Sequence, residues 1–356
     1  MRTVAIVNQK GGCGKTTTTV NLAGCLAAEG ARVLVVDMDP QAHATLALGV
    51  DAERVDENLY DVLAEDDGVE RFERILVRAD ENVEVAPSGI VLSALEQKLA
   101  GERSDARTQR LAAALARLDD RFDWALIDCP PNVGLLTFNA LRAAREVIVP
   151  LETSFFAIHG VHKLLETITL LSERLHHDLV VRILPTLYDG RTRYARETLA
   201  EIRSTFGELC FDTVIRMNVK LREAARHGKP IVRFARSANG AIDYGALAVE
   251  LAALAPDELR ARPGAAAERE VVVQYRAEHA NDVRIAGDFN DWIPDKGVRS
   301  LVQSEGPQRV WTKILHLSPG TYQYRYVVDG EWRQDPENPH SVDGPVGNKN
   351  SLLVVS

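Results

Sequence analysis

Eight consecutive residues, Lys10-Gly11-Gly12-Cys13-Gly14-Lys15-Thr16-Thr17, place three glycines, two lysines and two hydroxyls between an apolar run, Val4–Asn8, and an Ala/Leu-rich segment, Gly14–Glu29. Glycines let the backbone curl so that successive amides point inward at phosphate oxygens, and a helix starting there adds its positive end. A triphosphate would be held mainly by main chain, with Cys13 and Thr17 inside the same cradle. Lys15 would supply a point charge to the β- and γ-oxygens and Thr16 a hydroxyl for Mg²⁺.

Carboxylates stand where such a site needs them. Val33–Asp37 runs into Asp37-Met38-Asp39-Pro40-Gln41, and Trp124–Asp128 is an apolar run ending in an acid followed by Cys129-Pro130-Pro131. In open α/β sheets ligands bind at the carboxyl ends of the strands, where these acids fall. Asp37 and Asp39 would share a side if the strand continued, but Pro40 signals that it is ending, so the two need not do the same job. The alternative for this pair is a polar strand end capping a helix. Asp128 has the pattern of the acid beside Mg²⁺ in nucleotide-hydrolysing sites.

These residues need a scaffold that brings strand ends together. Through about Pro256, short β-branched runs (Val4–Asn8, Val33–Asp37, Val83–Pro87, Trp124–Asp128, Val147–Pro150, Leu179–Pro185) alternate with helical stretches (Gly14–Glu29, Asp105–Arg117, Val133–Ala144, Val161–Leu175, Tyr194–Phe206, Ala238–Leu254). That alternation predicts an α/β fold with a mostly parallel, doubly wound sheet. The segment DELRARPGAAAERE reads as a linker. Beyond it, period-two runs such as VVVQYRA and TYQYRYVVDG between turn residues predict a small all-β, immunoglobulin-like sandwich. The expected division is 1–257, a linker 258–269, and 270–356. A chain of 356 residues is longer than the roughly 100–200 typical of one domain, so two are expected.

The net charge of -9 argues against a surface that coats nucleic acid throughout. Yet between Arg216 and Arg236 the only acid is Glu223, a local cationic stretch able to touch phosphates without reading bases. The other reading is a solvated helix face. Cys13, Cys25, Cys129 and Cys210 form no CxxC pair, which suits reduced thiols in a cytosolic protein. No signal peptide is legible and no apolar stretch approaches the ~20 residues of a membrane span, so the expected location is the cytoplasm.

The KGGCGKTT loop, with Lys10 ahead of the glycines and Gln9 where the general P-loop pattern has its first glycine, resembles the deviant P-loop of the ParA/MinD-type partition ATPases. Asp37-Met38-Asp39-Pro40-Gln41, Trp124–Pro131, Val149-Pro150-Leu151, Leu184–Asp189 and His227–Ile231 match further landmarks, and DPQ favours the ParA branch. The resemblance implies an ATPase using ATP and Mg²⁺, dimeric with ATP, in which Lys10 reaches the partner's phosphates and Asp39 orients the attacking water. It implies that Asp37 supports the metal shell and that Pro185 and Asp189 lie near the adenine. It further implies non-specific DNA binding by the dimer, with nucleoid association and a ParB-like activating partner. Arg216, Lys220 and Arg222 are the DNA candidates; Lys220 falls on a basic family position, whereas the family's Pro-Arg-Asn and Ser-Glu-Ala-Pro segments are altered here. A bridged iron cluster needs paired thiolates, for which the chain offers no convincing second ligand, and no terminal basic amphipathic helix suggests membrane attachment.

The second region carries Gly287–Trp292, Tyr322–Trp332, Asp335-Pro336 and Gly347–Asn350. Sugar rings expose apolar C–H faces edged by hydroxyls, so a sugar site needs flat aromatics beside fixed polar groups. This series resembles the glycogen-binding module of the AMP-activated protein kinase β subunit. By that resemblance Trp292 and Trp332 stack on sugar, Arg325 replaces a lysine, and Asn350 is the polar partner, while Val346 stands where a larger apolar residue is usual. Both tryptophans follow polar turn residues, which suggests exposed loops. The implied partner is an α-glucan such as glycogen, the alternative being a module whose tryptophans pack and which binds a cargo protein. A different reading of the whole chain is an ATP-switched glucan sensor controlling polysaccharide metabolism without a DNA role.

Overall fold

The computed structural model describes residues 1–65, 68–101, 104–175, 177–254, 269–277, 280–290, 292–295, 298–305, 308–317, 320–343 and 349–355. They fall into two compact units, Met1–Ala255 and Pro256–Ser356. Residues 258–268 of the expected linker lie outside the described residues, as do Val346, Gly347 and Asn348.

The first unit has strands β1 (Arg2–Ile6), β2 (Val33–Asp37), β3 (Val77–Asp80), β4 (Val83–Ala86), β5 (Trp124–Asp128), β6 (Glu146–Glu152) and β7 (Val180–Thr186). They form one sheet in the order β3-β4-β2-β5-β1-β6-β7. Alternate residues of the central strands enter opposite cores, because side chains on a strand point to the two faces in turn. Ala5, Leu34, Val36 and Ile127 belong to one core, and Val4, Ile6, Val33, Val35 and Leu126 to the other. A strand covered on both faces must be apolar throughout, which is why VLVVD and WALID are wholly buried up to their terminal acids.

Register matters most for function. In the parallel pairings Ile6 lies opposite Asp128, and Asp37 opposite Asp128. The ends of β1, β2 and β5 are therefore level, and the segments that leave them begin at one edge of the sheet.

Three departures from the sequence reading have local causes. β3, absent from it, is a four-residue edge strand, VRAD, antiparallel to β4 and only half-buried, too short and mixed to carry a strand pattern. The expected helix Asp105–Arg117 is two helices, Ser104–Thr108 and Arg110–Ala116, which meet at Gln109. The helix expected from Val161 begins at Phe155.

The second unit contains β8 (Arg269–Ala277), β9 (Val283–Gly287), β10 (Arg299–Glu305), β11 (Gln308–Leu317), β12 (Gly320–Val328), β13 (Glu331–Arg333), β14 (Ser341–Asp343) and β15 (Lys349–Val355). One antiparallel sheet runs β10-β11-β8; in the other β13-β12-β15-β14 are neighbours and β9 also pairs with β12. Tyr275 and Leu315 of the first sheet meet Ile285, Tyr324 and Tyr326 of the second in one core. Gly287 is required where β9 passes β12, since a Cβ there would stand 2.3 Å from the Gln323 carbonyl oxygen.

Candidate nucleotide site and aromatic platform

Between β1 and the helix Lys15–Ala28, the loop turns through Gly12 at φ +75° and Gly14 at φ +98°, left-handed conformations that favour glycine. Gly14 is the N-cap of that helix and no side chain caps its first amides. The first turn of any helix has amides without intrahelical partners, so the end presents donors and a positive dipole to an anion. Lys15 is 8% exposed, and its Nζ donates to the Lys10 carbonyl at 3.1 Å. The loop is braced from β7, where the Thr186 hydroxyl donates to the Cys13 carbonyl at 2.8 Å. Cys13 itself is buried, which pushes its thiol up from the usual range.

The two acids differ in setting because the strand ends between them. β2 stops at Asp37, so Asp39 is already in the turn, where its Oδ1 accepts the Gln41 amide at 3.0 Å. Asp37 is fully buried and accepts the Thr45 amide and hydroxyl at 2.8 and 2.7 Å, and the Asp39 amide at 3.1 Å. Asp128, also fully buried, accepts from Thr16 Oγ1 at 2.7 Å on one oxygen and from Thr19 Oγ1 at 3.1 Å on the other. Burial pushes the Asp37 carboxyl up. Burial and then the neighbouring Asp37 push Asp128 up as well.

Two buried acids side by side, one of them bonded to a hydroxyl at a phosphate loop, make a place where added positive charge is strongly favoured. Among the described residues no group of three His, Cys, Asp or Glu side chains could hold a metal alone. Magnesium itself keeps waters and takes one or two protein ligands together with substrate phosphates. The residues fit it, with Thr16 and Asp128 nearest the loop and Asp37 behind.

The remaining sequence candidates are more dispersed. Lys10 is ion-paired with Glu152 at the end of β6, within hydrogen-bond reach of Ser154. Pro185 sits in β7, whereas Asp189 is paired with Arg191, which holds its carboxyl down to about 2. Arg216 is gripped by Asp243 through Nε, Nη2 and its own amide. Lys220 pairs with Glu223 at 2.7 Å, and Arg222 is exposed on the helix Val219–Arg226. Sequence reasoning missed Thr19, Thr45 and Thr186. The signal for Thr19 was its position three residues after Thr16, which places both hydroxyls on one helix face.

Residues 1–181 match the family described as an AAA domain, and residues 269–356 match the glycogen recognition site of AMP-activated protein kinase. Sporulation initiation inhibitor protein Soj of Bacillus subtilis is 42% identical over 251 residues, covering 70% of this chain and 98% of Soj. The chain belongs to the ParA/MinD-type ATPases. The chromosome partitioning protein ParA of Myxococcus xanthus is 38% identical over 253 residues, 70% of this chain and 87% of that protein. Among solved structures, the septum site-determining protein MinD of Pyrococcus horikoshii, complexed with Mg-ADP, superposes with a TM-score of 0.57 at 27% identity. It covers 72% of this chain and 98% of MinD. This ParA/MinD-type ATPase thus carries a carbohydrate-module match outside the part shared with these relatives. Among its described residues no helix is long and apolar enough to cross a membrane.

In that second region the ring centroids of Trp292 and Trp332 lie 6.2 Å apart with their planes at 42°. Trp292 adopts φ +59°, fixed by its amide to the Gly287 carbonyl at 3.0 Å and by Nε1 to Asp288 at 3.1 Å. Trp332 is 41% exposed and lies on β13, opposite Val327, rather than on the expected loop. The sequence reading missed this because β13 is only three residues long. Arg325 Nη2 donates to the Trp332 carbonyl at 2.7 Å, so it joins the tryptophan pair. Asn350 is buried, and its amide donates to Gln323 at 3.0 Å.

Proposed function

We propose that this protein binds Mg-ATP at the Lys10–Thr17 loop, dimerises with ATP, and hydrolyses it to drive cycles of binding to and release from non-specific DNA. The observation that carries the nucleotide part is the convergence of the uncapped helix end, the nearly buried Lys15, and the Thr16–Asp128 bond at one sheet edge. Loop amides of Gly11 to Thr17 bind the phosphates, and Lys15 leaves the Lys10 carbonyl to neutralise the β- and γ-oxygens. Thr16, Asp128 and Asp37 hold the magnesium shell. Magnesium, when bound, supplies positive charge that stabilises the negative charge shifting onto the phosphate oxygens during displacement. Asp39, at the turn beyond β2 and free of the Asp37 network except through its amide, orients the attacking water. Lys10 exchanges Glu152 for the phosphates of a second subunit. Pro185 and Asp189 lie on the adenine side. A Lys10→Ala or Asp39→Ala variant should retain nucleotide but lose ATP turnover; wild-type turnover in both would overturn this assignment.

The second unit is proposed to bind α-glucan through Trp292 and Trp332, with Arg325 bracing the platform and Asn350 at its border. The paired, partly exposed rings support this over a packed core role. The ATPase cycle would then position a glucan granule or a cargo protein, with a ParB-like partner as activator, in the cytoplasm at the nucleoid.

One observation favours the sensor reading. Arg216 is committed to Asp243 and Lys220 to Glu223, leaving Arg222 as the least encumbered of the three DNA candidates. DNA co-sedimentation with ATP, comparing wild type with Lys220→Ala and Arg222→Ala, separates the readings. Reduced pelleting in the variants supports the DNA cycle, and absent or unchanged pelleting supports a sensor that controls polysaccharide metabolism.

A further inference from the structure

The carboxylate at the end of β5 has two oxygens and two hydroxyl neighbours, and the magnesium reading above uses one of each. Thr16 Oγ1 serves Oδ2 at 2.7 Å. Thr19 Oγ1 stands 3.1 Å from Oδ1 and also 3.1 Å from the carbonyl oxygen of Lys15, one turn earlier in its own helix. A threonine hydroxyl has one hydrogen, so it donates to one of these acceptors at a time. The back-bond to the carbonyl is the ordinary choice for a helical threonine. Once a cation at the loop favours its ionised form, the Asp128 carboxylate outbids that carbonyl, because charge-assisted hydrogen bonds are shorter and stronger than neutral ones. Thr19 is fully buried, as is Asp128, so no bulk water competes for that proton.

We propose that Thr19 is the positioning residue for Asp128, fixing Oδ1 through its hydroxyl so that Oδ2 stays turned to Thr16 and the phosphate loop. The proposal rests on the reading that Asp128 serves the magnesium shell. Asp37 offers an internal parallel: Thr45 holds one of its oxygens with both amide and hydroxyl, and the Ser88 amide in turn holds that hydroxyl at 3.1 Å. Each buried acid at this edge is thus clamped by a buried threonine, and neither clamp is in the glycine loop. Loss of an outer contact of this kind lowers metal affinity about 10–100-fold.

The test is the affinity of a fluorescent ATP analogue with magnesium and with EDTA, for wild type, Thr19→Val, Thr19→Ala, Thr19→Ser and Asp128→Asn. The expected result is unchanged affinity in EDTA for all Thr19 variants. The gain on adding magnesium should shrink about 10-fold or more for Val and Ala and return with Ser, and half-saturating magnesium in turnover should rise in parallel. A full magnesium gain in Thr19→Val and Thr19→Ala overturns the proposal. So does loss of affinity in EDTA by both, which would make Thr19 a residue of the fold. A full magnesium gain in Asp128→Asn would instead sink the metal reading itself, whatever Thr19 does.

Discussion

The two candidate sites of this protein differ in where they keep their working groups. At the carboxyl edge of the parallel sheet, Lys15, Asp39 and Asp128 are all less than a tenth exposed, and each oxygen of Asp128 has its own hydroxyl donor. On the β-sandwich, Trp332 is 41% exposed on a three-residue strand, and its neighbour Trp292 is held by a backbone turn. The contrast is the one that the proposed ligands would require. Polyphosphate carries charge, and fixed amides and ions act on charge most strongly where water is excluded. A sugar is neutral, and a flat ring gains by covering its apolar face, which requires that the ring stand in solvent until the ligand arrives.

Breaking one site should therefore leave the other intact. Lys15→Ala should lower ATP turnover about 10²–10³-fold, the scale for loss of one buried charge-stabilising donor, while glucan binding is unchanged. Trp332→Ala should weaken binding to soluble glycogen by about 2 kcal/mol, or about 30-fold, read by affinity electrophoresis, with normal ATP turnover. Parallel loss of both activities in either variant would show that the sites are not separate machines.

Stability sharpens the comparison further. Asp128 has its folded-state pKa raised above the unfolded value by burial and by Asp37. Its protonated form therefore favours folding fully below the unfolded value of about 3.9, and this contribution is lost as pH rises through the folded-state pKa. Asp128→Asn should accordingly melt higher than wild type at pH 8 without nucleotide, by about 2–4 °C for each kcal/mol relieved, and the difference should shrink toward pH 4. Differential scanning calorimetry across that range checks the sign. The smallest expected effect concerns DNA: Lys220→Ala and Arg222→Ala should each lower the salt slope of binding by about one, the value for one phosphate contact.

Much of the first site was legible because its requirements are local. Three glycines, a lysine and a threonine in one loop declare a phosphate cradle, and wholly apolar runs ending in acid gave β2 and β5 their observed bounds. The threonines that hold the acids were not legible as such, since Thr45 meets Asp37 from eight residues away and Thr19 meets Asp128 from 109. Arg216 read as a free cation because its partner, Asp243, lies 27 residues on in a separate helix. β3 and β13 escaped notice because three or four residues carry too little periodicity to distinguish a strand from a turn.

The central claim is that the Lys10–Thr17 loop and the acids of β2 and β5 form one Mg-ATP site, and isothermal titration of the purified protein with ATP tests it most directly. One nucleotide bound per chain, with affinity that rises on adding magnesium and collapses in Lys15→Ala, is the predicted result. Absence of binding, or binding indifferent to both magnesium and Lys15, would contradict it.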